Sequence, residues 1–191
     1  MSVAGARGGD GVGVSGRPAR VRTADPQHPP DMRAVAAVAR ATWPAAYRGI
    51  LPAQAVAEHL RTAYRPEALA ARPGLDGGFF LLAEARRPSG RWVAVGFCQA
   101  GRRPAAPTDA DLWAIYVRPR WQGRGFGRAL VEAAAERLGR VRLHVALARG
   151  NAAAEAFYGR LGFVPEGSGY EATIQDVTLP MRAMVRVPGK A

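Results

Sequence analysis

Residues 117–130, VRPRWQGRGFGRAL, place Gly123, Gly125 and Gly127 between an apolar segment and the start of an amphipathic one. That arrangement builds an anion site: the first turn of a helix leaves N–H donors unpaired and carries about half a positive charge. Glycines there remove the β-carbons that would hold a phosphate away. Arg118, Arg120, Arg124 and Arg128 add a local cluster of cations. A Walker loop requires Gly-Lys followed by Ser or Thr, which does not occur. A dinucleotide fingerprint requires a third glycine where Arg128 stands and a carboxylate some 20 residues on, yet residues 143–150 hold none. His28, His59 and His144 share no ligand spacing with Cys98 or an acid, so no metal is expected.

These residues need a sheet and helices to position them. Residues 1–18 are Gly-rich and unpatterned and are expected to form a disordered extension. Residues 20–23 read as a strand, broken by DPQHPP before a helix that Asp31 would cap and that Pro44 would kink or end. Further helices are predicted after Pro52 and over 66–71. Residues 79–85 and 92–100 form a hairpin pattern, followed by a strand over 111–118 after a Pro-rich loop. Phe126, Leu130, Ala134 and Leu138 recur every four residues on one helix face. A strand at 141–147, a helix opened by Asn151 and ending near Gly162, strand material from Phe163, and a last strand over 177–187 with Pro180 at an edge complete the chain. The order implies a single α+β (mixed α/β) domain over residues 19–188.

The loop Gln122-Gly-Arg-Gly-Phe-Gly-Arg128 resembles the pyrophosphate loop of the GNAT superfamily of acetyl-CoA-dependent N-acetyltransferases. The likeness extends over roughly 20–187: WPAAYRGILP at 43–52 resembles the family's loop between its first two helices, DLWAIYVRP the strand before the cofactor loop, and LHV, Asn151, AFY at 156–158 and LGFV at 161–164 its second cofactor-facing segment. The resemblance implies a mixed, mostly antiparallel sheet split around acetyl-CoA and flanked by about four helices. It also implies direct attack of an amine on the acetyl thioester. Gln122, Gly123, Arg124, Gly125, Phe126, Gly127 and Arg128 would face the pyrophosphate, backbone groups of Tyr116 and Val117 the pantetheine, and Asn151 and Phe157 the cofactor arm. Tyr158 is the matched acid for the leaving thiolate. A tyrosine near 10 and a thiol near 8.5 make full transfer uphill by roughly 2 kcal/mol, so a hydrogen bond to the developing thiolate suffices. Asp111 stands where many family members carry glutamate, and its shorter side chain calls for a water relay if it is the base. Glu84 and His144 are the other base candidates. Trp43, Tyr47 and Arg48 lie at the junction resembling the acceptor wall.

Composition narrows the classes. Hydrophobic residues are 48% and charged residues 22%, as in an ordinary globular protein. No apolar run of membrane-spanning or signal-peptide length occurs, and Cys98 is the lone cysteine, so a cytoplasmic protein is expected. The net charge is +12, with Lys190 the only lysine, but the arginines are scattered without a basic tail or stripe, so nucleic acid and membrane partners are not expected. The expected partner is a small-molecule or peptide amine, a protein α-amine being mildly favoured because it titrates near 8 against 10.4 for lysine. Homodimers, common in the family, have no motif here. Two alternatives remain: a non-catalytic acyl-CoA-binding regulatory module, supported by Asp111 in place of glutamate, and an RNA- or ribosome-directed acetyltransferase, suggested by charge.

Overall fold

A computed structural model describes residues 19–72, 77–139 and 141–189; the expected disordered extension, residues 1–18, lies outside them. The chain forms β1 (Ala19–Ala24), α1 (Pro29–Ala46), α2 (Ala53–Thr62), α3 (Pro66–Ala71), β2 (Phe79–Arg86), β3 (Trp92–Arg103), β4 (Ala106–Val117), a 3₁₀ turn (Pro119–Trp121), α4 (Phe126–Leu138), β5 (Arg142–Ala148), α5 (Ala152–Gly159), β6 (Val164–Ile174) and β7 (Val177–Arg186). The seven strands make one mixed sheet in the order β1-β2-β3-β4-β5-β7-β6. Each neighbouring pair is antiparallel except β4 and β5.

Sequence periodicity explains which face each helix covers. The four-residue stripe of α4 buries Phe126, Leu130, Ala134 and Leu138 against Leu81, Val95, Leu112 and Leu143 on one face of the sheet. α1 buries Met32, Val35, Val38, Ala39 and Trp43 against Phe80, Leu82 and Phe97 on the other. α1 begins after His28, and Asp31 is not its cap: the Asp31 carboxylate lies inside the first turn, accepting two guanidinium bonds from Arg22 at 2.7 and 2.8 Å and one from the Asp25 N–H at 3.0 Å. Nor does Pro44 end the helix, which runs on to Ala46.

Two features of β4 shape the site. Its parallel pairing with β5 covers only Asp109↔Arg142, Ala110↔Leu143 and Asp111↔His144; beyond that the strands part. Against β3, Gln99 faces Ala114 and Ala100 faces Leu112, so Trp113 is an extra residue, a β-bulge. An extra residue reverses the alternation of side chains. Ala110 and Leu112 therefore face α4, whereas Ala114 and Tyr116 face α1. The indole of Trp113 lies over two glycines: a β-carbon at Gly101 would sit 2.4 Å from it, and one at Gly78 2.7 Å.

Candidate functional site

Where β4 and β5 part, a cavity of about 530 Å³ opens. Its walls come from β4 (Leu112 to Val117), β5 (Val145 to Ala148), the end of α1, the glycine turn and α5. The missing pairing leaves strand-edge groups facing the gap. The Arg118 N–H donates to the Val95 carbonyl at 2.8 Å, so alternation along the strand turns the Tyr116 backbone toward β3 and the Val117 backbone into the gap. Of the two expected backbone contributors, Val117 alone faces the cavity with its main chain; Tyr116 contributes its side chain.

At one end of the cavity the turn before α4 presents Gln122, Gly123, Phe126 and Gly127. Gly125 is the N-cap residue at φ 85°, with no side chain capping the helix. The opening N–H groups of α4 thus have no intrahelical acceptor. Gly123 is also left-handed, at φ 71°, and the space over it is open. Gly127 is glycine for a different reason: a β-carbon there would lie 2.9 Å from the Phe157 ring. Gln122 ties the turn back to β4, its amide donating to the Val117 carbonyl at 2.9 Å. Arg124 and Arg128 are exposed and make no ion pair among the described residues; the Arg124 guanidinium stacks over Trp121 at 5.1 Å. An uncapped helix start, left-handed glycines and two uncommitted arginines fit the pyrophosphate of an acyl-CoA.

α5 forms the next wall. Asn151 caps it, its side-chain oxygen accepting from the Ala154 N–H at 3.1 Å, and also lines the cavity. Tyr158 is buried with its ring between Phe157 and Phe163, at 4.9 and 5.2 Å. Its hydroxyl has no hydrogen-bond partner among the described residues, yet it is not one of the sealed, orphaned buried atoms, and the residue lines the cavity. Burial pushes this phenol well above its usual range, with Cys98 and Tyr47 adding to the shift. It is a neutral donor at any working pH.

The far end is aromatic. Tyr47, at the end of α1, stacks on Trp43 at 4.3 Å, and its hydroxyl lies 3.2 Å from that of Tyr116. Burial raises both phenols, Tyr116 strongly. Tyr116 is the site residue whose side chain sequence reasoning missed: period-2 alternation from Leu112 would aim it at α4, and the Trp113 bulge turns it to Tyr47. Trp43 is buried beneath Tyr47, and Arg48 lines a second cavity of about 540 Å³ that shares Tyr47 with the first.

The structure does not bring the three base candidates into the cavity. Both oxygens of Asp111 accept from Arg103, at 2.9 and 2.7 Å. Glu84 is buried on β2 and accepts from Arg20 at 2.6 Å and Arg22 at 3.1 Å. His144 is buried between Asp109, 3.0 Å from Nε2, and Glu166, 2.8 Å from Nδ1. None lines the cavity, whose only charged lining residue among those described is Arg160.

A sheet parted beside an uncapped, glycine-opened helix defines a protein of the N-acetyltransferase fold. Residues 77–165 match the family model described as Acetyltransferase (GNAT) domain. That stretch, similar to the GNAT acetyltransferase domain, holds the glycine turn, Asn151 and Tyr158. The fold of the chain is similar to that of PaiA N-acetyltransferase from Thermoplasma acidophilum in complex with coenzyme A, with TM-score 0.68 and 21% identity over 88% of this chain and 98% of that one. It is also similar to a GCN5-related N-acetyltransferase from Rhodopseudomonas palustris, with TM-score 0.67 and 22% identity over 92% and 98% of the two chains. The ribosomal-protein-S18-alanine N-acetyltransferase from Escherichia coli shares the fold at TM-score 0.60 and 20% identity, over 91% and 96%. No curated protein sequence matches the chain. No helix among the described residues is long and apolar enough to cross a membrane.

Proposed function

We propose that residues 19–188 act as one cytoplasmic domain that transfers the acetyl group of acetyl-CoA to a primary amine by direct attack in a ternary complex. The observation that carries this reading is that one cavity joins the uncapped start of α4 to the unpartnered hydroxyl of Tyr158. The pyrophosphate would rest on the N–H groups of Phe126, Gly127 and Arg128, with Arg124 and Arg128 supplying countercharge. The pantetheine would follow the gap along Val117, between β4 and β5, past Asn151 and Phe157. Such a path leads the thioester to Tyr158.

The amine nitrogen attacks the carbonyl carbon, forming the C–N bond; collapse breaks the C–S bond. Tyr158 donates its O–H toward the departing sulfur, which needs no net transfer while the thiolate is being formed. With no carboxylate among the described cavity-lining residues, the amine sheds its proton to water before or during attack rather than to Asp111, Glu84 or His144. An α-amine, which titrates near 8, does so at far lower cost than a lysine amine at about 10.4.

Calorimetric titration of acetyl-CoA and CoA, followed by thiol release with a set of amines, tests the proposal. Binding together with amine-dependent release is the expected result. Binding without release from any amine would favour a non-catalytic acyl-CoA module, the reading to which the locked Asp111–Arg103 pair lends weight. No binding would overturn both.

A further inference from the structure

We infer that the acceptor is an apolar-bodied amine bearing no second positive charge, its body in the second cavity and its nitrogen carried past Tyr47 to the hydroxyl pair that Tyr47 and Tyr116 form in the cofactor cavity; this rests on the transferase reading above. The second cavity, about 540 Å³, runs from Tyr47 between the end of α1 and α2, over Pro44, Leu51, Val56 and Leu60. Tyr47 lines both this cavity and the cofactor cavity and stands between them. Its volume suits a body of several carbons.

Charge decides the class of occupant. Among the described residues neither cavity is lined by an acid; the charged linings are Arg160 in one and Arg48 in the other. Groups behind the aromatic wall repeat the sign. Arg72 stacks over Tyr64 at 5.0 Å, and burial and Arg72 lower the pKa of His59, which stacks on Trp43 at 4.5 Å. The three phenols of Tyr47, Tyr116 and Tyr158 are all raised, so none supplies negative charge. An ammonium entering here loses hydration and finds no counterion. The reacting nitrogen escapes that cost by losing its proton, as attack requires. A second ammonium on the same molecule cannot. The Tyr47–Tyr116 pair has a hydroxyl oxygen free to accept from a neutral N–H, and the aliphatic wall takes an uncharged chain.

The discriminating pair of acceptors is norleucinamide and lysinamide, which share an α-amine and differ in whether the side chain ends in a methyl or an ammonium group. With the full-length protein and saturating acetyl-CoA, norleucinamide should show a kcat/KM above that of lysinamide by about tenfold or more. Ala57 is exposed on α2 and lines the second cavity, so Ala57→Asp adds a carboxylate there without disturbing the core. That variant should raise kcat/KM for lysinamide relative to norleucinamide, narrowing the gap between them. Lysinamide equal to or better than norleucinamide in the unsubstituted protein overturns the inference, as does Ala57→Asp acting equally on both. So does silence with norleucinamide while other amines turn over, an outcome that leaves the transferase reading standing; silence with every amine removes both.

Discussion

The two ends of the β4–β5 junction differ in how they treat charge. Where the strands pair, Asp109 accepts from Arg142 at 2.9 and 2.8 Å and meets His144 at 3.0 Å, while Asp111 holds Arg103. Where they part, the walls carry phenols, alanines and valines, with Arg160 the one charged lining residue and no acid among the described residues. Acids at the junction are bound by arginine and serve as ties between strands. The cavity is left with neutral hydroxyls. In this protein the sheet is fastened with charge, and the proposed chemistry rests on groups that stay uncharged.

The sharpest way to break that contrast is Tyr158→Phe. If the neutral phenol is the proton donor, kcat should fall by about a hundredfold, with the calorimetric Kd for acetyl-CoA unchanged because the ring packing is kept. A kcat near that of the unsubstituted protein would return the role to another group. The pH profile sharpens the same point. The Tyr158 pKa lies above its usual value, so the hydroxyl remains protonated above pH 10 and kcat should show no descending limb below that pH. A limb near pH 9 would mark a different acid.

At the other end of the cavity, the prediction concerns binding. Arg124→Ala with Arg128→Ala should raise the Kd for acetyl-CoA by about tenfold, while kcat at saturation holds. An unchanged Kd by calorimetry would leave both arginines as solvated surface.

The paired end should respond in stability. Arg142 beside Asp109, with His144 adding to it, holds that carboxyl below its ordinary range. A depressed folded pKa stabilises the fold above the unfolded value, near 3.9, and the contribution is lost as pH falls through the folded value. Asp109→Asn should therefore lower Tm at pH 7, and the difference from the unsubstituted protein should shrink below about pH 3.9 in thermal melts.

Much of this frame was readable from residue order, for reasons particular to each element. The α4 stripe, the Pro66 start of α3 and the Asn151 cap are local signals, and each element forms where its signal lies. β3 and β4 extend further than their apolar cores, to Arg103 and from Ala106, because their tips are held by Arg102↔Ala110 pairing and the Asp111–Arg103 ion pair rather than by an alternating pattern. Nor does β6 alternate: it is an edge strand, largely exposed, with an irregular pairing at Gly167–Gly169. In the site, the glycine turn, Asn151 and Tyr158 are in one chain segment or at fixed spacing and could be read together. The base could not, since which carboxylates meet arginines is a matter of register: Arg20 and Arg103 have no mark in sequence that ties them to Glu84 and Asp111. The Trp113 bulge is equally silent, and it decides where Tyr116 points.

The smallest expected effect is the one that tests the contrast most directly. Asp111→Asn keeps the side chain's shape and its place opposite Gly101 and His144, and replaces a bidentate acceptor of Arg103 by a weaker one. Both partners are partly exposed, at 39% and 26% of their side-chain surface, so water recovers most of what the pair loses. If the acid is a strand tie, kcat/KM should stay within about twofold, with or without the Glu84→Gln change, whose acid sits on β2 among its own arginines. If Asp111 instead relays the amine's proton through water, kcat/KM should fall by about a hundredfold and the ascending limb of its pH profile should change shape. That loss would move the chemistry back across the junction, from the phenols of the parted strands to the acids of the paired ones.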